Sequence, residues 1–214
     1  MELVCVRHGR TAWNQVRRFQ GHTDIPLDDV GREQARALAA HLRGERFDFA
    51  LTSDLARAAA TAAAIGAACG VAIEADARLR EMRFGTWEGL TWDEIVERNP
   101  SLAKRSATTP AYYMPVDGET FDDVSARIGP VLAEVTARLG SGGRALLVSH
   151  AGVMHALLRV ALVEPDEASL GVVFAPASIM RLSGNGSLPW RLDRINEVAP
   201  TPDAPRRAAA ANPP

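Results

Sequence analysis

The sequence predicts an α/β fold, with a mostly parallel central sheet, helices on both of its faces and a small inserted lid segment. Three observations lead there. Short continuous apolar runs, such as Leu3-Val4-Cys5-Val6 and Ala145 to Val148, read as strands buried on both faces. Segments with apolar residues at helical spacing alternate with those runs, which implies parallel strands joined by helical crossovers. Between residues 77 and 118 the alternation stops, as an insertion would make it.

The elements follow in order. Leu3 to Val6 is the first strand, and Arg7-His8-Gly9 follows it at once. Asp28 or Asp29 caps a helix that presents Ala35, Leu38, Ala39 and Leu42 on one face until Gly44 stops it. Phe47 to Thr52 is a second strand. Ser53 and Asp54 open an alanine-rich helix running to about Cys69, with Gly70 as its terminator. Val71 to Glu74 is a third short strand. The irregular stretch holds one short helix across Trp92 to Arg98. Val124, Ile128, Val131, Val135 and Leu139 then mark a long helix, bent at Gly129-Pro130. After the strand Ala145 to Val148 comes His150, and then a helix with Met154, Leu157, Leu158 and Ala161 inward. Val172 to Phe174 and Ile179 to Leu182 read as further strands, and Gly184-Asn185-Gly186 as a hairpin turn. Residues 1–198 thus form a single domain with an insertion at about 90–117, and the proline- and alanine-rich residues 199–214 are expected to be a disordered tail.

Composition narrows the function. A formal charge of -2 gives no electrostatic reason to expect nucleic acid or an anionic membrane as partner, so any positive potential must be local. That only Lys104 among the 24 basic residues is lysine reads as genomic base composition rather than as a functional signal. Cys5 and Cys69 form neither a disulfide framework nor a metal spacing and read as small buried side chains. His150 and His155, five apart, do not share a helix face as a zinc pair would, and no Walker-type loop is present. His22, His41 and His155 read as structural. The first apolar run is too short for a signal peptide or a membrane span, so a cytoplasmic protein is expected.

In open α/β sheets ligands bind beyond the carboxyl ends of the strands, where the strand order reverses. Arg7-His8 follows the first strand, Arg57 lies in the first turn of the helix after the second, and His150 follows a later strand. Two guanidinium groups and two imidazoles at one such edge form a cationic cup that fits a phosphoryl group. Binding alone does not need two histidines; attack of imidazole on phosphorus does. The surrounding positive charge also keeps a histidine neutral and nucleophilic.

Val6-Arg7-His8-Gly9-Arg10-Thr11 resembles the signature of the histidine phosphatase superfamily, the phosphoglycerate-mutase-like proteins. The likeness continues through Trp13-Asn14, Phe19-Gln20-Gly21 and Asp24-Ile25-Pro26-Leu27 to Gly31. It resumes at Thr52-Ser53-Asp54-Leu55-Ala56-Arg57-Ala58, Leu79-Arg80-Glu81, Gly85-Thr86-Trp87-Glu88-Gly89, Gly118-Glu119-Thr120 and Val148-Ser149-His150-Ala151-Gly152. The resemblance implies His8 as the phosphorylated nucleophile, with Arg7, Arg57 and His150 binding the phosphoryl group and Asn14 an additional contact. It implies Glu81 as general acid and then base, with Glu88 the rival carboxylate, and places Gln20 and Gly21 on the substrate side. Arg10 stands where many members carry Glu, outside the catalytic set.

The same resemblance implies hydrolysis of a small phosphorylated metabolite without metal or other cofactor. The segment 90–117 is shorter than in the glycolytic mutases, and the Gly-x-Trp-Glu-Gly pattern looks like the phosphatase branch, so a cofactor-dependent phosphoglycerate mutase is the alternative. A non-catalytic phosphate-binding module would require a missing catalytic residue, and none is missing. Trp92, Tyr112, Tyr113 and Met114 are candidates either to line the substrate side or to pack the insertion on the sheet. The physiological substrate is left open, and so is the oligomeric state, a homodimer included.

Overall fold

In the computed structural model, which describes residues 1–102, 117–163 and 172–200, the first apolar run is the strand β1 (Glu2–Arg7). The chain continues through α1 (Ala12–Gln15), α2 (Asp29–His41), β2 (Phe49–Thr52), α3 (Ala56–Cys69) and β3 (Ile73–Ala75). After α4 (Trp92–Arg98) come α5 (Phe121–Leu139), β4 (Arg144–Ser149), α6 (Ala151–Leu162), β5 (Ser178–Ser183) and β6 (Arg191–Val198).

The six strands form one sheet in the order β3-β2-β4-β1-β5-β6. The first four in that order pair in parallel, and β5 and β6 add antiparallel to the β1 edge. The chain leaves β1 for β2 and β3 on one side, and leaves β4 for β5 and β6 on the other. The carboxyl ends of β1 and β4, adjacent in the sheet, are therefore the switch point where a ligand is expected.

The period of two along each strand divides the core. Leu3 and Cys5 of β1 and Ala145 and Leu147 of β4 pack against Val124, Ile128 and Val135 of α5 and Val153 and Leu157 of α6. Val4, Val6, Leu146 and Val148 face the other way, onto Leu38 of α2 and Ala58, Ala62 and Ile65 of α3. Both faces are covered, so continuous apolar runs were the right signal for these strands. Among the described residues no helix is long and apolar enough to cross a membrane.

Asp28 caps α2 through a 2.7 Å bond from Gly31 N, and α4 occupies the expected span with Thr91 and Glu94 as a reciprocal cap. Gly70 closes α3 in the left-handed conformation. Pro130 is accommodated inside α5, which continues through it. Three details differ from expectation. Val172 to Phe174 is not a strand: β5 takes the place beside β1, and this segment is tied instead by Asn196, whose side chain bonds Val173 O and Ala175 N. β6, unrecognised in the sequence, is an edge strand whose charged residues hide its alternation. Neither Ser53 nor Asp54 is the N-cap of α3; Leu55 stands there without a side-chain cap. Tyr112, Tyr113, Met114 and the tail from residue 201 lie outside the described residues. Trp92 packs on Trp87, which stacks edge-on with Phe19.

Candidate active site

The β1–β4 edge carries the two histidines. His8 prolongs the ladder by one residue, its N–H donating to Ser149 O at 2.9 Å, and its own carbonyl accepts from Ala177 N at 3.0 Å. The ring is buried, and Nδ1 lies 2.7 Å from Gly9 O. A carbonyl only accepts, so Nδ1 carries the proton and Nε2 the lone pair. His150, fully buried at the N-terminus of α6, has its ring centroid 5.0 Å from that of His8. Arg57 Nε donates to His150 Nδ1 at 3.3 Å, so here the proton sits on Nε2, a buried atom with no protein partner. The two imidazoles hold opposite tautomers: one presents a lone pair, the other an N–H.

The tight start of this segment depends on glycine. A Cβ on Gly31, in the first turn of α2, would lie 1.9 Å from Arg10 O, so the helix start can meet the Arg-His-Gly turn only without a side chain. Arg10 itself pairs with Asp28 at 2.8 Å and braces the α2 cap, away from the cavity.

Arg57 is fully buried and does two jobs. Besides meeting His150 it donates to Gly21 O at 2.7 Å and Thr23 O at 2.9 Å, fastening the 20–24 loop. That loop returns the support, since Asp24 accepts from Ala56 N at 2.7 Å and caps α3 from outside it. Glu88 completes the loop, accepting from His22 N, Thr23 N, Thr23 Oγ1 and Phe84 N. With both oxygens so engaged, Glu88 is a clamp. Glu81, also buried, instead has Oε1 held by Met82 N and Gly152 N, each at 2.9 Å.

A cavity of about 320 Å³ opens here, lined by Arg7, His8, Asn14, Gln20, Arg57 and Glu81 among the residues expected from the sequence. His150 is not part of the lining and stands against His8 and Arg57, which are, while Gly21 contributes a carbonyl to Arg57 instead of a wall. Asn14 Oδ1 accepts from Thr11 N and Oγ1, which leaves its amide N–H groups for a ligand. Arg17, Arg18, Phe19 and Phe84 also line the cavity. The sequence carries no expectation for these two arginines, although they directly precede the Phe19-Gln20-Gly21 block. Arg18 is paired with Glu94, whereas Arg17, at φ 54, has no side-chain partner among the described residues.

Five buried side-chain atoms among the described residues lack a partner, and three belong to Arg7 (Nε), Gln20 (Oε1) and His150 (Nε2). A buried unsatisfied group costs about 1–3 kcal/mol; Arg7 and Gln20 line the cavity and His150 adjoins two residues that do, so together they mark a place built for a polar ligand. Two of the three are donors beside Arg57, which suits an anion.

Burial, and then the nearby Arg7 and Arg57 charges, hold the His8 pKa well below the usual histidine value; burial and Arg57 do the same to His150. Both rings are thus neutral at pH 7. The linkage has a definite sign: the folded pKa values lie below the unfolded value of about 6.5, so the unfolded chain binds more protons as pH falls past it. Stability is fully present above pH 6.5 and is lost below it, by up to about 1.4 kcal/mol per pH unit for each histidine. Melting in a phosphate-free buffer between pH 7 and 5 should show this fall, and His150→Gln should flatten it by about half. A wild-type stability independent of pH across that window would contradict the buried neutral pair.

A family model described as the histidine phosphatase superfamily (branch 1) matches residues 3–198. The glucosyl-3-phosphoglycerate phosphatase of Mycobacterium tuberculosis is 37% identical, over 92% of this chain and 95% of that protein. A probable phosphoglycerate mutase GpmB of Photorhabdus laumondii is 34% identical, over 89% and 87%. Among solved structures, the mycobacterial glucosyl-3-phosphoglycerate phosphatase in complex with VO3 superposes with a TM-score of 0.83 at 35% identity, covering 91% of this chain and 98% of that one.

Proposed function

Since the chain belongs to the histidine phosphatase superfamily, we propose that it is a metal-independent phosphomonoesterase acting on a small phosphorylated metabolite through a phosphohistidine on His8. The observation that carries this reading is the tautomer of His8: Gly9 O takes the Nδ1 proton, so the Nε2 lone pair is available in a cavity shared with Arg7, Arg57 and Glu81.

In this reading a phosphate monoester enters with its equatorial oxygens against Arg7, Arg57, Asn14 and His150 Nε2–H. His8 Nε2 attacks phosphorus while the ester oxygen leaves, taking a proton from Glu81. The Nδ1–H to Gly9 contact steadies the cationic phosphohistidine. Glu81, now a carboxylate, removes a proton from the attacking water, and inorganic phosphate departs from restored His8. Gln20, Phe19, Phe84 and the unpaired Arg17 meet the remainder of the substrate.

Arg7, Arg57 and the N-terminus of α6 provide the positive field that other phosphatases draw from metal ions. The mutase alternative keeps a specific support, the 34% identity to a probable phosphoglycerate mutase. A mutase must shield its phosphohistidine from water and hold a second phosphate; of the cations near the cavity, Arg18 is already neutralised by Glu94. One assay decides both points. After exhaustive chelation the protein should release phosphate from a panel of monoesters at its full rate, with no bisphosphate requirement and negligible interconversion of 3- and 2-phosphoglycerate. Activity restored only by magnesium or zinc would reject metal independence. Isomerisation outrunning phosphate release after priming with 2,3-bisphosphoglycerate would establish the mutase.

A further inference from the structure

Glu81 lies on no regular element. It sits between a 3-10 turn at Ala77–Leu79 and another at Gly85–Trp87, on a segment that could drift. A general acid has to be held within about 0.5 Å of its productive position, and a displacement near 1 Å can cost about 10²-fold in rate. Something outside the segment must therefore fix it.

Part of the answer is α6, whose Gly152 N holds Oε1. A Cβ at Gly152 would come within 2.5 Å of that oxygen, so the carboxylate reaches the helix only because the residue is glycine. The backbone is fixed from the opposite side by α5. Arg127 donates through Nη1 to Arg78 O and through Nη2 to Glu81 O at 3.2 Å, so one planar guanidinium spans the carbonyls at both ends of the Leu79-Arg80 step. His22 Nε2 shares the Glu81 carbonyl at 2.9 Å.

The guanidinium is itself locked. Glu119 receives Arg127 Nε at 2.9 Å and Nη2 at 3.0 Å, a fork-to-fork pair on side chains each 18% exposed. The same carboxylate accepts from Arg83 N at 2.8 Å, and Glu119 N donates back to Arg83 O. Two points flanking Glu81, residues 78 and 83, are thereby tied to one ion pair. Neither Arg127 nor Glu119 lines the cavity.

We infer that Arg127, locked by Glu119, is a positioning residue for Glu81. It sets where the acid stands without touching substrate. The inference rests on the reading of Glu81 as the general acid. Lysine cannot replace it fully, because a single ammonium cannot span two carbonyls and a carboxylate in one plane.

An acid matters in proportion to the difficulty of the leaving group, which provides a readout that plain destabilisation does not move. The comparison is kcat/KM, which reports phosphorylation of His8, for an alkyl phosphate such as glycerol 3-phosphate and for p-nitrophenyl phosphate, whose leaving group needs no proton. Arg127→Met should lose about 10- to 100-fold on the alkyl ester and under about 3-fold on the aryl ester. Arg127→Lys should recover part of the alkyl loss. In a Glu81→Gln background Arg127→Met should cost nothing further on the alkyl ester, because the group it positions is gone.

Glu119→Gln, which keeps the shape but slackens the lock, should give a smaller loss with the same selectivity, and serves if Arg127→Met does not fold. Equal losses on the two esters in the folded variants, or additive losses with Glu81→Gln, would overturn the inference. Should Glu81→Gln alone lose equally on both esters, the general-acid reading falls first and the positioning role with it; the two failures are thus distinguishable.

Discussion

Replacing His8 by alanine is expected to lower turnover of any phosphomonoester by on the order of 10⁴- to 10⁶-fold, the scale seen when a covalent nucleophile is removed from an otherwise intact site. Among the described residues nothing else in the cavity can take over. His150 has its Nδ1 lone pair engaged by Arg57 and presents only an N–H, so it cannot attack phosphorus without breaking that contact. The anion-binding parts stay, and His8→Ala should therefore still bind inorganic phosphate with near wild-type affinity by calorimetry. Rapid acid-free quench of the wild type with a labelled monoester should trap a phosphoryl group that is acid-labile and base-stable, and the variant should trap none. Turnover by His8→Ala near the wild-type rate would end the phosphohistidine reading.

The second large effect belongs to Glu81. Enzymes accelerate phosphomonoester hydrolysis by up to ~10²¹-fold, and a share of that barrier is charge building on the leaving oxygen. Loss of a general acid typically costs about 10²- to 10⁴-fold, and Glu81→Gln should lose that much in kcat/KM on alkyl phosphates. On p-nitrophenyl phosphate the same ratio should hardly change. Its steady-state rate should nevertheless fall, because water must still be activated in the second step. A burst of one p-nitrophenol per enzyme followed by slow turnover is the expected trace. Glutamine suits the test: its amide oxygen can keep the Met82 and Gly152 donors satisfied while the transferable proton is gone. Equal losses on both esters would remove the acid role from Glu81. Glu88 would not inherit it easily, with four donors already on its carboxylate.

Strands buried on both faces and helices with one apolar stripe were readable because burial imposes a period on the chain, as in Leu3 to Val6 and in Val124, Ile128, Val131 and Val135. Where burial is one-sided or interrupted the signal failed. β6 carries charges on half of its residues, and its membership in the sheet is decided by pairing with β5. Val172 to Phe174 has a strand's composition, but the place beside β1 is taken by β5. The start of α3 looked capped by Ser53 or Asp54, yet Asp54 is drawn off by Arg80, and Asp24 from a remote loop caps the helix instead.

For the site, the sequence by itself determined which groups stand at the switch point, because strand ends and helix starts are local features: Arg7 and His8 after β1, Arg57 in the first turn of α3, His150 after β4. It determined too that their charge suits a phosphoryl group. Only the tertiary structure decided what each can do there. The tautomer of His150 depends on Arg57, 93 residues away, and the carbonyl of Glu81 is held by Arg127, 46 residues away. Glu88 is a clamp because the 20–24 loop folds onto it. A hydrogen bond forms over about 3 Å and along one direction, whereas a sequence pattern specifies only which side of an element is buried. Proton positions and carboxylate roles are therefore set by how close packing brings distant segments together, and no local pattern contains that distance.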